Sequence, residues 1–450
     1  MRDRVKKVLF LNTPFYRLMG SHYNGLSLGI LYIAAVLRDY GHQVGVLNAD
    51  YENRSDYLDQ TGIFEGHDQY KQIHENSDHY IWNDTVKEIL AYDPDYLGIT
   101  MYTANYKAAR IIAEKVKKAK PHIKIVVGGV HPTLAPEETL SAEEFDFVVS
   151  GEGEYVMLQL VNGDAFEKIP GLGYKEGDKI VVNPQSDEIV ELDRIPFPAR
   201  ELIINPLDNT DFGQLVTGRG CPFSCTYCAS PAMWSKKKVR LRSVDNVMDE
   251  LLLITRSYPH NVIYFEDDTF TMKKKRTLDL CNRIIQTGLD IKWKCDTRAD
   301  CISDDLVKLM KKAGCTCIKI GVESGSQRIL NLINKKVTKD VLLNASRIVK
   351  SNGIPLTIYL MTGFPDETND DLKETIKFAH EIDANYFSLS IAAPYYGTKI
   401  YDEFSRKNGG MNKEHWEYFY HQSRSMVLNS NLSEELVNEY LDLNTGRVRI

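Results

Sequence analysis

Cysteine is missing from the first 220 and the last 133 residues of this 450-residue chain; all eight lie between Cys221 and Cys317. A thiolate-held cluster is therefore expected in that window and nowhere else. Long apolar runs are also absent. None approaches the roughly 20 residues a membrane helix needs, and Met1-Arg-Asp-Arg-Val-Lys-Lys-Val8 has no signal-peptide core. Nor is there a basic excess: 55 Lys and Arg against 62 Asp and Glu leave a net charge of −7. That balance argues against nucleic acid or an anionic membrane as partner, since both need a positive field. No internal repeat or low-complexity segment appears. With 43% hydrophobic residues and a mean hydropathy of −0.32, a soluble protein with large cores is expected. Eight cysteines without a secretion signal fit a reducing cytoplasm.

What is present is concentrated in Thr217-Gly-Arg-Gly-Cys-Pro-Phe-Ser-Cys-Thr-Tyr-Cys-Ala229. The spacing Cys221-x-x-x-Cys225-x-x-Cys228 supplies three thiolates. Three can hold three corners of a cubic iron–sulfur cluster and leave the fourth iron open for a ligand. The alternative is a structural zinc knot, although zinc prefers four ligands in paired spacings and no second pair stands at a suitable distance. Cys281, Cys295, Cys301, Cys315 and Cys317 are most simply small apolar fillers.

Hydrophobic periodicity divides the chain. Strand patterns at Val8–Asn12, Gln43–Leu47, Tyr96–Thr100, Lys124–Val127 and Phe145–Val149 alternate with helical ones such as Leu26–Tyr40 and Asn105–Ala119. They predict a doubly wound parallel sheet over about 1–165, with Asp50–His79 weakly patterned and polar. Residues 166–213 read as a linker with a hairpin at Tyr174–Ile180. Over 214–400 the alternation resumes with strands near Leu215–Thr217, Val262–Glu266, Lys292–Asp296, Cys317–Val322, Leu356–Leu360 and Tyr386–Ile391. Six strands of this kind make a partial α/β barrel, and 401–450 reads as a helical C-terminal segment, with Trp416–Tyr420 packing a cap. Lys236–Lys238 and Lys273–Arg276 read as solvated faces.

The cysteine motif, with Tyr227 before the last thiol, resembles the radical SAM signature. The resemblance implies a 4Fe–4S cluster whose open iron chelates S-adenosylmethionine (SAM), cleaved on reduction to a 5′-deoxyadenosyl radical. It also implies an electron donor such as flavodoxin or ferredoxin. Strand ends carry the remaining candidates, as barrels require. Glu266, Asp267 and Asp268 would accept hydrogen bonds from the methionyl ammonium. Arg298 would pair with its carboxylate. Glu323 and Ser324 would meet the ribose, and the Gly363 segment the adenine edge.

The front part, through Asp93–Thr100, Val127–Thr133 and Val149–Glu154, is similar to the cobalamin-binding domain that precedes many radical SAM enzymes. Thr103, Gly128, Gly129 and His131 would line the cofactor there. The Asp-x-His-x-x-Gly motif that gives cobalt a histidine is absent, because Asn12-Thr-Pro-Phe-Tyr-Arg17 stands after the first strand. A domain that has lost its cofactor is the alternative. Together these readings imply a Rossmann-like cobalamin-binding sheet followed by a partial (β/α)6 radical SAM barrel, and a cobalamin-dependent methyltransferase. Its target would be an unactivated carbon, or a phosphinate phosphorus, of an unidentified small molecule or peptide. A cyclisation or rearrangement enzyme, a methylthiotransferase and a non-catalytic cofactor carrier are the rivals. No side chain is singled out as catalytic.

Overall fold

The computed structural model describes residues 5–55, 60–185, 188–206, 208–234, 239–260, 262–407, 413–423 and 431–445. Lys236–Lys238 lie outside them. The chain divides into two compact units.

Unit 1 holds residues 1–58, 65–210 and 412–420. Its strands are β1 (Lys7–Asn12), β2 (Gln43–Asn48), β3 (Tyr96–Thr100), β4 (Lys124–Gly128), β5 (Phe147–Val149), β6 (Leu172–Glu176) and β7 (Lys179–Val182). They form one sheet in the order β2-β1-β3-β4-β5-β6-β7. The first five are parallel, with Val8 opposite both Val44 and Tyr96. Parallel strands are covered on both faces, so Val8, Leu9, Phe10 and Leu11 are all buried. The hairpin read as part of a linker belongs to this sheet: β6 pairs antiparallel with β5, and β7 with β6. The order reverses between β1 and β3, which makes their carboxyl ends the switch point where a doubly wound sheet takes ligands.

Two further departures come from aromatic packing. Within the stretch read as weakly patterned, His67–Glu75 is a helix whose buried side is His67, Tyr70, Ile73 and His74. Two of its four core-facing residues are histidines, which a hydrophobic count passes over. The segment read as a C-terminal cap is divided: residues 412–420 cluster with unit 1, while helices Lys399–Lys407 and Glu434–Leu441 stay with unit 2.

Unit 2 carries β8 (Gln214–Leu215), the short pair β9 (Gly218–Arg219) and β10 (Arg240–Leu241), then β11 (Ile263–Phe265), β12 (Trp293–Thr297), β13 (Cys315–Glu323), β14 (Leu356–Thr362) and β15 (Tyr386–Ile391). Six of them form a parallel sheet in the order β15-β14-β13-β12-β11-β8. Each strand lies beside its predecessor in the chain, the winding of an α/β barrel left open. Alternate residues separate the two faces. Leu215, Ile263, Phe265, Trp293, Cys295, Ile318, Ile320, Leu356, Ile358, Leu360, Phe387 and Leu389 enter the apolar core with the covering helices. The opposite face presents Tyr264, Lys294, Asp296, Cys317, Lys319, Thr357 and Tyr359. Arg276, read as solvated, instead donates to Thr217 O and Arg242 O and ties the start of the barrel together.

Candidate functional site

The cysteine loop leaves the carboxyl end of β8 and is braced from several sides. Its entry is fixed by Asp267, whose carboxylate accepts from the Thr217 amide at 2.5 Å, from the Thr217 hydroxyl and from the Gly218 amide at 3.3 Å. Inside the loop, the Thr226 amide donates to Ile333 O at 3.0 Å, and Asn334 Nδ2 to Ser224 O at 2.8 Å. The Arg298 guanidinium lies 3.6 Å over the Phe223 ring. It is held there by both oxygens of Asp300, at 2.9 and 3.0 Å, and by Lys335 O at 2.8 Å.

Cys221, Cys225 and Cys228 are half-buried free thiols. Burial pushes the Cys228 thiol up to about 12 and raises that of Cys221. Without a bound cation to offset desolvation, both stay protonated; a metal ligand would be the thiolate. Among the described residues no three His, Cys, Asp or Glu side chains gather round a single metal ion. A cubane places its three protein ligands on three different irons, so its sulfurs need not converge on one point. The donor set therefore fits a cluster better than a mononuclear zinc.

Beside the loop, at the carboxyl end of β13, Lys335 donates to Glu323 at 2.7 Å and lies 3.4 Å from the Tyr227 hydroxyl. Both charges are buried. Glu323 takes a φ of 68°, and the turn that carries Lys335 has Asn334 at 54° and Lys336 at 57°. Three non-glycine residues in the left-handed region at one place mark a site where surrounding structure imposes the conformation. A Cβ at Gly321 would stand 2.7 Å from Glu323 Oε1 and 2.8 Å from Lys335 Nζ, so the ion pair occupies the space that glycine leaves.

Several residues expected to touch SAM are engaged otherwise. Asp267 is spent on the Thr217–Gly218 turn, and Asp268 is exposed and accepts from Ser230 Oγ at 3.0 Å. The fork of Arg298 faces Asp300 rather than an open site. Ser324 is fully buried against Thr375 Oγ1 at 3.0 Å and accepts from the Ser326 amide. The Gly363 amide donates to Glu367 Oε2 at 2.6 Å, which closes that turn on itself. Glu266 keeps its place on the concave face, where burial and then Asp296 push it up to about 8. Lys335 was missed, because a lysine after a short helix reads as surface by default. The turn-prone Asn334 before it was the one available signal.

In unit 1 the switch-point edge shows Thr13-Pro-Phe15 after β1 and Met101-Tyr-Thr103 after β3, where Tyr102 is 59% exposed. That exposed ring offers one apolar face at the edge. Gly129, with φ of 102°, lets the chain pass Met101, whose backbone oxygen would be 3.0 Å from a Cβ. At Gly128 an added Cβ would meet only ordinary contacts. His131 is sealed: Thr103 Oγ1 lies 3.0 Å from its Nδ1, and the Trp416 and Tyr106 rings stand 4.5 and 5.5 Å away. Burial holds its imidazole down at about 3, so it is neutral. On these sides it faces protein.

Residues 215–379 match the model of the Radical SAM superfamily, and residues 21–161 match that of the B12 binding domain. An uncharacterized methyltransferase of Pyrococcus horikoshii, PH0819, is 33% identical over 96% of this chain and 90% of its own length. The chain belongs to the radical SAM superfamily. It sits in the branch that carries a B12 binding domain, and it is an enzyme. The anaerobic magnesium-protoporphyrin IX monomethyl ester cyclase of Rubrivivax gelatinosus is 30% identical over 72% of this chain and 61% of its own. Among solved structures, the radical SAM methyltransferase TsrM from Kitasatospora setae superposes with a TM-score of 0.67 at 17% identity, over 89% of this chain and 76% of its own. The cobalamin-dependent radical enzyme OxsB gives 0.65 at 20%, over 99% of this chain and 62% of its own. At those identities the two show the fold: a Rossmann-like sheet followed by a partial barrel, as the radical SAM resemblance implied. Among the described residues, no helix is long and apolar enough to cross a membrane.

Proposed function

We propose that this radical SAM enzyme methylates an unactivated carbon, or a phosphinate phosphorus, of a small substrate. When bound, the cluster and cobalamin supply the radical and the methyl group. The chain's own contribution is placement. The observation that carries the reading is the braced loop of three thiols set beside the Lys335–Glu323 pair. That pair matches the charged end of an amino acid: Glu323 would accept from the methionyl ammonium, and Lys335 would meet the carboxylate. Binding exchanges a buried internal ion pair for two external ones, so little desolvation remains to be overcome. Glu266 is the acidic group left over for proton handling, since near neutrality it holds its proton. A reduced flavodoxin or ferredoxin would supply the electron.

Cyclisation is the second reading, and the cyclase relative at 30% identity favours it. Product stoichiometry separates the two. Reconstituted anaerobic enzyme, given SAM, a reductant and extract of the producing cells, should release 5′-deoxyadenosine and S-adenosylhomocysteine in equal amounts, with a product one methylene heavier than its precursor. Release of 5′-deoxyadenosine without S-adenosylhomocysteine would select cyclisation or rearrangement.

A further inference from the structure

The concave face of the unit 2 sheet holds a second polar cluster, deeper than the Lys335–Glu323 pair. Asp296 accepts from the Tyr264 hydroxyl on one carboxylate oxygen and from the Tyr359 hydroxyl on the other, at 2.8 Å. Its charge is thus spent on two phenols. Lys319 Nζ lies 4.4 Å from the centre of the Tyr264 ring, and Lys294 Nζ lies 5.2 Å from the same ring. Among the described residues, Lys319 is half-buried and forms no ion pair. A ring face stabilises an ammonium by less than a carboxylate does, and an ammonium withdrawn from water calls for an anion.

We propose that Lys319 and Lys294 form an oxyanion seat for the substrate, so that the barrel takes a molecule carrying a carboxylate or phosphoryl group. This rests on the reading of the barrel as the reaction chamber. Lysine suits the task as a point charge that can approach an oxyanion from several directions. The described carboxyl groups beside Lys319 compete little. Asp296 is engaged by the tyrosines, and Glu266, facing Lys319, Lys294, Asp296 and Asp211, is held neutral near pH 7 by burial. Position also favours a substrate handle over a cofactor contact. Lys319 precedes Glu323 by four residues on β13, about 13 Å along a strand. The seat therefore holds one end of a substrate while the other reaches the carboxyl edge, where the cysteine loop lies. Binding energy from a remote group is what positions a reacting carbon.

The test is trace acetylation of lysines on the cluster-reconstituted, anaerobic enzyme, read by peptide mass spectrometry with inorganic phosphate, succinate or chloride at equal ionic strength. Phosphate or succinate should slow acetylation of Lys319 and Lys294 about fivefold or more at saturation and leave exposed Lys308 unaffected. Stronger protection by phosphate would indicate a phosphoryl substrate; stronger protection by succinate, a carboxylate. Protection of Lys294 should persist in Lys319→Arg and vanish in Lys319→Gln. Equal rates in all three salts, or protection of Lys294 that survives Lys319→Gln, overturns the proposal. Uncoupled SAM cleavage by the same wild-type preparation is scored separately, and its absence would count against the enzyme reading rather than the seat.

Discussion

Lys335 and Glu323 meet over a position without a side chain, and the pair is the most exacting arrangement in the barrel. Removing one partner leaves the other charge buried and alone. Lys335→Met should therefore lower stability by about 3–5 kcal/mol and weaken SAM binding, as seen by urea titration and equilibrium dialysis. Gly321→Ala should act on the same pair, because the new methyl would stand within 3 Å of both charged atoms. Glu266 gives a different signature. Its folded value of about 8 lies above the ordinary 4.5, so across that window the folded chain keeps a proton the unfolded chain has lost. Stability then falls as pH rises through the window and levels off above it, by an amount on the order of a few kcal/mol. Glu266→Gln should flatten that slope between about pH 5 and 8, measured as the pH dependence of the urea midpoint. An unchanged slope would show that burial does not raise this carboxyl.

Among the elements, the cysteine loop owes its shape to its neighbours more than to itself. Arg298 stacks on Phe223 while Asp300 fixes its plane, and the turn Ile333–Lys336 binds the loop backbone. Lysine can neither stack as a plane nor present two parallel donors from a rigid fork. Arg298→Lys should consequently reduce iron content after reconstitution, rather than affecting SAM binding alone. Iron retained at the wild-type level would return Arg298 to a direct role with the cofactor. The cysteines were legible because their spacing is a covalent feature of the chain. The strand-end carboxylates were legible in position but not in role. Nothing in Glu266-Asp-Asp268 reveals that the middle one points back to Thr217 while the first faces the concave side; that follows from strand alternation and the twist of the turn. The engagement of Ser324 by Thr375 was not legible, since that partner comes from a later segment, whereas Gly363 is met by Glu367 within its own turn.

At the scale of the whole chain, the alternation of strands and helices was enough to give a doubly wound sheet followed by a partial barrel. The helix over His67–Glu75 and the attachment of residues 412–420 to unit 1 were not legible, because both depend on aromatic and histidine side chains packing at long sequence separation. Trp416 is the anchor of that attachment, fully buried with His131 and Tyr106. Trp416→Ala should destabilise unit 1 by about 3–5 kcal/mol, observed as earlier unfolding and faster proteolysis near residue 416. Cys225→Ala should abolish the brown absorbance and SAM cleavage together. The central claim, that three thiols leave one iron open to SAM, is tested most directly by electron paramagnetic resonance of the reduced, reconstituted enzyme. The account predicts a 4Fe–4S signal that changes shape when SAM is added, followed by 5′-deoxyadenosine release. Zinc in place of iron, or a cluster signal that SAM leaves unaltered, would contradict it.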